Sequence, residues 1–504
     1  MNETLSQDWW FILLGYAVFL IYSVGIMMLG VLIERKTSAD KLLCRKWTHI
    51  VSAFVWVICY FFFRCSIHWV IANGAGAIAL GFVTFGKGFA AYDRDDAKKS
   101  YGLFYFGAVT FVVALVTYLT YALIDTALGM QLYYAAGIAY FCLALGDGFA
   151  PIIVKACKGK GPVLMKNRSL IGTISVFLVS LLSTVVFSAV FSLKLSFVFM
   201  LSVAALTCIV EFYGIKGLDN ILIDLAVFVY VALYFMGMIS PLLQIVVILS
   251  PILACLAFLS KSLTFSGGVA TLVLFYLIGY FSNGNYMPIL YIGLMFALAS
   301  ASSVISKKIK QKREQKSHES HARTASQVLA VGAVAVIGLI LYALSDQAIF
   351  CLLYYVCIAE QFADSISSDI GYLTKGKTVD LLRWKPIPKG ISGGVSLLGT
   401  ALALASSFLL LLIPFFAQHV RMTPICYLVA ALIAFAGTLL DSVFGSLLQA
   451  RYRCSVCDVL VETSSHCGSP AVLVKGLKSV KNVTVNLFAS IGTFLLGLLL
   501  LLVI

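Results

Sequence analysis

The sequence predicts an all-α, polytopic integral membrane protein with about sixteen transmembrane helices in two bundles. Hydrophobic residues make up 61% of the 504 residues and charged residues only 12%. This balance is typical of a chain whose solvent is lipid. Apolar runs of about 17–25 residues recur along the chain, and each can cross a hydrocarbon core of roughly 30 Å as a helix. A transmembrane barrel would instead need short alternating segments.

The apolar runs form two series of eight. The first series lies at 9–33, 47–63, 67–83, 103–124, 132–153, 170–192, 195–210 and 221–238. The second series lies at 241–259, 263–281, 285–305, 325–344, 347–366, 391–416, 423–448 and 484–504. Trp9 and Trp10 open the first run as an interfacial aromatic anchor. We therefore expect two membrane domains, residues 1–240 and 241–504.

The cationic residues predict the orientation of the chain. Of the 36 Lys and Arg, all but Arg64, Lys194 and Arg421 fall in loops on one side of the predicted bundle. The positive-inside rule makes that side cytoplasmic, so we expect both termini to face outward. The net charge of +14 then serves orientation, anionic lipid headgroups or anionic substrates, and does not indicate a nucleic-acid partner. The strongest charge run, at 307–323, is interpreted as a solvated cytoplasmic loop.

Similar polar signals occur in the same order in both halves: an acid, a basic loop, a glycine-containing helix start and a further acid. In the first half these are Asp147, the loop 155–168, Ser169 with Gly172, and Glu211 with Asp219. In the second half they are Glu360, Asp364 and Asp369, the loop 375–389, Ser392-Gly393-Gly394 with Ser396, and Asp441. Because each half has an even number of runs, the two sets would face the same side of the membrane.

The acids at the ends of apolar runs are candidate functional residues, because an ionisable side chain there usually faces a cavity or a partner. A structural ion pair with a nearby Lys or Arg is the alternative interpretation. Several acids on one face favour Mg²⁺, which prefers oxygen ligands and bridges carboxylates to the phosphates of a nucleotide. The candidate Mg²⁺ ligands are Asp147, Asp364, Asp369 and Asp441, and Glu211, Asp219 and Glu360 are further candidate catalytic acids.

A Gly/Ser-rich helix start directly after a basic loop has the groups that bind an anion, and phosphate is the natural ligand. The alternative is that the serines only cap their helices and the glycines only allow close packing. Neither segment matches the P-loop pattern GxxxxGK[ST]. The candidate phosphate- or nucleotide-binding residues are Lys166, Arg168, Ser169 and Gly172 in the first half and Lys389, Gly390, Ser392, Gly393, Gly394 and Ser396 in the second.

The start of the second run carries Arg45, Lys46 and His49. Basic residues at a cytoplasmic helix end ordinarily orient the helix. His49, one turn after Arg45, would lie on the same face and could hydrogen-bond a phosphate or act on a hydroxyl proton. We therefore treat these three residues as candidate catalytic residues.

A cysteine pair in the last loop predicts a possible structural zinc site. Cys454 and Cys457, followed by His466 and Cys467, supply four soft ligands. Free reduced thiols are the alternative, since adjacent His466 and Cys467 side chains do not readily reach one ion. Most of the other cysteines lie within apolar runs or on the cytoplasmic side, where thiols stay reduced.

These motifs carry a resemblance to two membrane families. The first half resembles the phytol kinase and dolichol kinase family of CTP-dependent lipid kinases, which is related to phosphatidate cytidylyltransferases. It does so through RKWTHI at 45–50, GDGFAPII from 146, NRSLIGT from 167 and EFYGIKGLDN from 211. The second half resembles the phytyl-phosphate kinase membrane family. Its matching stretches are ARTASQVLA at 322–330, AEQFADSISSDIG at 359–371, PKGISGGVSLLGT at 388–400, GTLLDSVFGSLLQ at 437–449 and KNVTVN at 481–486.

The resemblance implies two successive phosphorylations, from an isoprenoid alcohol to its monophosphate and then to the diphosphate. The implied partners are a membrane-borne isoprenoid, a nucleoside triphosphate, with CTP favoured, and Mg²⁺. A CTP-dependent cytidylyltransferase acting on a lipid phosphate and a lipid-phosphate transporter or flippase are the alternatives. A transporter should carry polar residues near the bilayer midplane, whereas nearly all charges here lie at the predicted cytoplasmic ends.

Overall fold

The computed structural model describes residues 8–36, 41–85, 101–158, 162–165, 168–214, 218–259, 262–312, 322–371 and 376–502. Within the predicted charge run, residues 313–321 lie outside these ranges. The chain divides into two compact units, Met1–Leu259 and Ser260–Ile504. Each unit is built mainly from apolar helices, as the all-α prediction requires, with short strands in the loops between them.

In its described part, the first unit holds ten α-helices and one strand pair. They are α1 (Trp9–Lys36), α2 (Lys41–Phe62), α3 (Ile67–Phe85), α4 (Gly102–Leu119), α5 (Thr126–Phe141), α6 (Gly148–Ala156), β1 (Val163–Met165), β2 (Arg168–Ser169), α7 (Leu170–Val190), α8 (Phe197–Tyr213), α9 (Asp219–Phe235) and α10 (Pro241–Leu259). Two π-helical turns interrupt the helices: Thr120–Ile124 follows α4, and Cys142–Asp147 joins α5 to α6.

The core of the first unit forms around α5 and α8. Small residues such as Ala135, Ala136 and Ala139 on α5 are almost fully buried, and small side chains allow neighbouring helices to approach closely. The π-helical turn after α5 ends at Asp147, and the next residue is Gly148. A Cβ atom at Gly148 would lie 2.5 Å from Ile50 Cγ1, so glycine is what allows α6 to pack directly against α2.

The second unit has seven α-helices and six strands among its described residues. They are α11 (Phe265–Phe281), α12 (Met287–Lys312), α13 (Ala325–Ser345), α14 (Ala348–Gly371), β3 (Val379–Asp380), β4 (Gly394–Val395), α15 (Leu397–Ala417), α16 (Pro424–Leu447), β5 (Arg451–Cys454), β6 (Leu460–Val461), β7 (Ser465–His466), β8 (Ser469–Lys475) and α17 (Asn482–Leu501). Helix α14 is central: Leu353, Tyr354 and Tyr355 are fully buried, and α12, α13, α15, α16 and α17 all contact it.

Two small antiparallel sheets occupy the loops of the second unit. Strands β3 and β4 pair through Val379 with Val395 and Asp380 with Gly394. The other four strands form a sheet in the order β6-β5-β8-β7, here called the cysteine sheet. No strands were predicted from the sequence. These strands are only two to seven residues long, too short for a period-two pattern to stand out.

The helices confirm a multi-pass membrane protein but not sixteen crossings. Within the described residues, ten helices are long and apolar enough to span a membrane, and five further apolar helices have 10–17 residues. Each of the sixteen predicted runs contains a helix. Because a helix of 17 residues is at the lower limit for spanning a bilayer, the number of crossings does not follow from the number of helices.

The boundary between the units falls after α10, whereas the sequence predicted α10 at the start of the second domain. Leu243, Val246, Val247 and Ser250 form a buried stripe on this helix, with the spacing of one helical face. Helix α10 contacts α8 of the first unit. That contact, which leaves no sequence signal, explains why the division lies later than predicted.

Candidate active sites

A cavity of about 380 Å³ lies within the first unit. One part of its wall is apolar and includes Phe19, Val55, Leu80 and Phe106. The other part is charged and brings together six predicted residues: Lys46, His49, Asp147, Arg168, Glu211 and Asp219. A wall divided in this way suits an amphiphile, whose polar group would contact the charged part and whose chain would contact the apolar part.

Asp147 lies at the centre of the first charged cluster. Lys46 Nζ is 2.5 Å from Asp147 Oδ2 and also donates to the Asp147 carbonyl oxygen over 3.1 Å. His49 Nδ1 is 3.5 Å from the same carboxylate oxygen. Both Lys46 and Asp147 are buried. The structure therefore joins the RKWTHI motif of α2 to the acid that follows α5, about a hundred residues later in the chain.

Arg168 connects the other two acids of the first cavity. Its NH1 group donates to Glu211 Oε1, and its NH2 group is 3.8 Å from Asp219 Oδ2. The planar guanidinium group can contact two carboxylates at once, which a lysine ammonium group does less well. The acids of this cavity are thus both ion-paired and placed at its wall. The interpretation as functional residues and the interpretation as structural ion pairs are therefore compatible here.

The predicted phosphate-binding helix start of the first half is a helix cap. Ser169 Oγ accepts a hydrogen bond from Gly172 N over 3.1 Å at the start of α7, and neither residue lines the cavity. The geometry here supports the capping interpretation. Lys166 and the side chain of Arg45 lie outside the described residues.

A larger cavity, about 570 Å³ in volume, lies within the second unit. Its polar wall brings together the predicted acids and the predicted loop: Asp364, Asp369, Asp441, Lys389, Gly390, Ser392, Gly393, Gly394 and Ser396. Its apolar wall comes from α11, α12 and α13 and includes Leu274, Phe275, Ile292, Met295 and Phe296. The second unit thus has its own amphiphilic cavity.

Two of the acids in the second cavity have no cationic partner among the described residues. Neither Asp364 nor Asp441 lies within 4.0 Å of a described Lys, Arg or His nitrogen. With its amide oriented to satisfy both neighbours, Asn486 Nδ2 is 3.1 Å from Asp441 Oδ2. Asp369 Oδ2 accepts a hydrogen bond from Ser302 Oγ over 3.0 Å. Asp364 and Asp441, which face the cavity without a cationic partner among the described residues, are suitable ligands for a divalent cation.

Glu360 occupies a different place from the other predicted acids. It is fully buried and does not line the cavity. Its Oε2 atom accepts hydrogen bonds from Gln361 Nε2 at 2.9 Å and from Ser490 Oγ at 3.3 Å. Glu360 lies one helical turn before Asp364, behind the cavity wall.

The loop 389–396 is shaped by glycine and held from one side by the cysteine sheet. Gly393 has a φ of 81°, and a Cβ atom there would lie 2.6 Å from Ser446 N. Ser392 N donates to Glu462 Oε1 over 2.6 Å, and Arg451 NH2 donates to Ser392 O over 2.7 Å. The Ser392 N–H group is therefore already used within the protein. Ser396 Oγ caps α15 through Gly399 N at 3.2 Å while also lining the cavity.

Asp380 anchors the base of this loop. Burial alone would raise its pKa, but hydrogen bonds from Ser446 Oγ and from the backbone N–H groups of Arg383 and Leu382 lower the pKa below its ordinary value. Arg451 NH1 lies 3.5 Å and Lys475 Nζ 3.8 Å from Asp380 Oδ2. Asp380 was not predicted as a site residue from the sequence, although it is the only acid in the basic loop 375–389.

Further cavity residues were also missed by the sequence analysis. Arg323 and Gln327 lie in the ARTASQVLA stretch, and Asn482 and Asn486 lie in KNVTVN; all four line the second cavity. These four residues could have been found from the sequence because they lie in stretches that carry the resemblance. Glu462 had no such signal.

The four predicted zinc ligands come together at one end of the cysteine sheet. The ligand atoms of Cys454, Cys457, His466 and Cys467 all lie within 4.8 Å of one another. Cys467 and the following Gly468 both have positive φ values, 53° and 74°. This reversal of the backbone allows two adjacent side chains, which would point to opposite faces of a regular strand, to face the same point.

Comparison with known proteins bears on the second unit. Residues 248–494 match the family model Integral membrane protein DUF92. No curated protein and no solved structure matches the chain. The DUF92 match contains all the residues of the second cavity and the four residues of the cysteine cluster. The first cavity lies entirely before the matched range.

Proposed function

We propose that the protein is a bifunctional isoprenoid lipid kinase that uses a nucleoside triphosphate. The first unit would convert a prenyl alcohol to its monophosphate, and the second would convert the monophosphate to the diphosphate. The observation that carries the proposal is the second cavity, whose lining combines Asp364 and Asp441, a Lys/Gly/Ser loop and apolar side chains of α11 and α12. Phosphoryl transfer depends mainly on positioning and electrostatic stabilisation, which such a lining can supply.

In the second unit, Asp364 and Asp441 are the residues suited to hold Mg²⁺. When bound, Mg²⁺ would neutralise charge on the nucleotide phosphates. Lys389, which lines the same cavity, would contact the phosphates through its ammonium group. The apolar side chains of α11 and α12 would hold the isoprenoid chain. The lipid phosphate would then be oriented by contacts at both ends of the molecule.

In the first unit, the presence of His49 fits an alcohol substrate. An alcohol must lose a proton as it attacks a phosphoryl group, and histidine commonly takes such a proton. Asp147, 3.5 Å from His49 Nδ1, would orient the imidazole ring. A lipid monophosphate is already anionic and needs no such base, and no histidine lines the second cavity among the described residues. The chemistry of the two walls therefore supports the order of the two steps.

The nucleotide is suggested by the resemblance, which favours CTP. The oxygen ligands and cations of either cavity are compatible with any of the four common triphosphates. A cytidylyltransferase would instead release pyrophosphate and form a cytidine diphosphate lipid, and a transporter would form no product. The products therefore separate the three functions.

The test uses the purified full chain, Mg²⁺, γ-labelled triphosphates, and phytol, geranylgeraniol or their monophosphates. We expect label in both lipid phosphates. Asp147→Asn should block the monophosphate, whereas Asp364→Asn should let it accumulate. Two matched controls should behave like the native chain. Asp125 caps α5 by accepting a hydrogen bond from Leu128 N, and Asp125→Asn keeps this cap because asparagine also caps a helix well. Asp346 has a left-handed backbone, which asparagine tolerates, so Asp346→Asn should also be neutral. Absence of label transfer to all of these lipids would overturn the proposal.

A further inference from the structure

The cysteine cluster has the dimensions of a tetrahedral zinc site. Ideal Zn–S and Zn–N bonds give ligand separations of about 3.8 Å between sulfurs and about 3.6 Å between sulfur and nitrogen. The Cys457 and Cys467 sulfurs are 3.8 Å apart. His466 Nδ1 is 3.4 Å from Cys457 Sγ and 3.3 Å from Cys467 Sγ. The three thiols form no disulfide.

The cysteine sheet has little else to stabilise it. Its buried apolar cluster consists of Ala450, Tyr452 and Val461, with Ala471 packed against them. A module with so small a core usually needs a metal or a disulfide to hold its fold. A site with four protein ligands leaves no open position, which is the arrangement of structural rather than catalytic zinc.

The same sheet holds the loop of the second cavity. Strand β5 carries Cys454 at one end and Arg451 at the other, and Arg451 contacts Ser392 O and Asp380. Glu462 follows β6, four residues before His466, and accepts the Ser392 N–H. The N–H and C=O groups of Ser392 are therefore both bound by side chains from this sheet or next to it, Glu462 and Arg451. The same sheet carries the cysteine cluster at one end.

We propose that Cys454, Cys457, His466 and Cys467 bind one structural Zn²⁺, and that the zinc-bound sheet positions the loop 389–396 in the second cavity. Arg451 and Glu462 act as positioning residues through their hydrogen bonds with the backbone of Ser392. The proposal of a metal site depends only on the geometry of these four residues. Only the expected effect on catalysis rests on the proposed kinase function.

The metal site is tested by elemental analysis and by cobalt substitution of the purified full chain. We expect one zinc per chain, and Co²⁺ should give the visible absorption of tetrahedral coordination together with a thiolate charge-transfer band. Cys457→Ser should lose the metal. Cys457→His should retain it, because histidine is also a zinc ligand. The control Cys157→Ser alters an exposed cysteine of the first unit and should leave zinc content unchanged. A folded native chain without zinc would overturn the metal site.

The coupling to the loop is tested by amide hydrogen exchange, which does not require activity. Removing zinc with a chelator should speed exchange in peptides covering 389–396, because Ser392 N would lose its bond to Glu462. Peptides covering 168–172 of the first unit should not change, and added Zn²⁺ should restore the slow exchange. Unchanged exchange in 389–396 after zinc loss would overturn the coupling, whatever the enzyme assay shows.

The catalytic consequence is tested on both steps of the proposed reaction. Zinc loss should slow diphosphate formation by roughly 10- to 100-fold, as expected for a displaced binding loop, and leave monophosphate formation unchanged. Cys457→His should retain the second step. If the native chain binds zinc but catalyses neither step, the kinase proposal fails while the metal site and the exchange result stand. Equal loss of both steps would contradict a role confined to the second cavity.

Discussion

Two carboxylates of the second unit should respond in opposite ways to the same substitution. Asp364 faces the cavity and has no cationic partner among the described residues. Asp380 is buried with Arg451, Lys475 and Ser446 around it. Replacing either by asparagine removes one charge and preserves the shape. If Asp364 serves function and Asp380 serves structure, stability and activity should separate between the two variants.

The expected loss for Asp380→Asn follows from its contacts. Ser446 Oγ donates to both carboxylate oxygens at 2.8 and 2.9 Å, and Arg451 is almost fully buried. Removing one charge from a buried pair leaves the other uncompensated and costs about 3 kcal/mol. For a unit of this size, that corresponds to a fall in Tm of roughly 6–12 °C.

Asp364→Asn should leave the stability of the metal-free protein unchanged or slightly raised. Asp441 and Asp369 line the same cavity, and nearby like charges repel each other. Relief of this repulsion contributes about 1 kcal/mol, which corresponds to a rise in Tm of roughly 2–4 °C. The substitution also removes a carboxylate suited to hold Mg²⁺, and the weaker stabilisation of charge on the transferring phosphoryl group should slow diphosphate formation by about 10²- to 10³-fold.

Both variants can be measured in one preparation of the full chain. Thermal unfolding in detergent gives Tm, and chromatography of labelled lipids gives the rate of each step. The reasoning is refuted if Asp364→Asn lowers Tm as much as Asp380→Asn, or if it forms diphosphate at the native rate. The first result would make Asp364 a structural residue, and the second would exclude it from catalysis of the second step.

Three further predictions concern single residues. The lowered pKa of Asp380 means that its stabilising effect is complete at neutral pH and lost as the pH falls below about 4, so the Tm difference between native chain and Asp380→Asn should shrink there. Arg168→Lys should reduce monophosphate formation by at least about tenfold without affecting the second step, because lysine lacks the fork that contacts two carboxylates; product analysis on each substrate separates the steps. Gly393→Ala should raise the KM for lipid monophosphate and lower Tm, because a positive φ costs about 1–2 kcal/mol and the new Cβ would meet Ser446 N.

The sequence predicted the helices and most of the charged residues that line each cavity, because both leave local signals. A long apolar run indicates a helix by itself, and an acid at its end is conspicuous against apolar neighbours. Asp364 and Asp441 were found in this way, and the structure brings them to one cavity. The ARTASQVLA and KNVTVN stretches carry the resemblance and also contain cavity residues, but these were not singled out as site residues from the sequence.

The sequence did not predict the contacts that hold the second loop, because those contacts are not local. Ser392 and Glu462 are seventy residues apart in the chain, and Asp380 and Arg451 are seventy-one residues apart. Neither pair belongs to a periodic pattern. The arrangement of His466 beside Cys467 depends on a left-handed backbone at Cys467, and a residue other than glycine gives little sign of that conformation in advance.

The π-helical turn Cys142–Asp147 has a consequence for the insertions and deletions that the first unit can tolerate. Such a turn accommodates an additional residue within an otherwise α-helical path. Each residue of an α-helix turns the following side chains by about 100°. Deleting one residue from this turn would therefore rotate Asp147 away from Lys46 while preserving an apolar helix. Evolution of this segment should be limited more strictly in length than in the identity of its apolar residues.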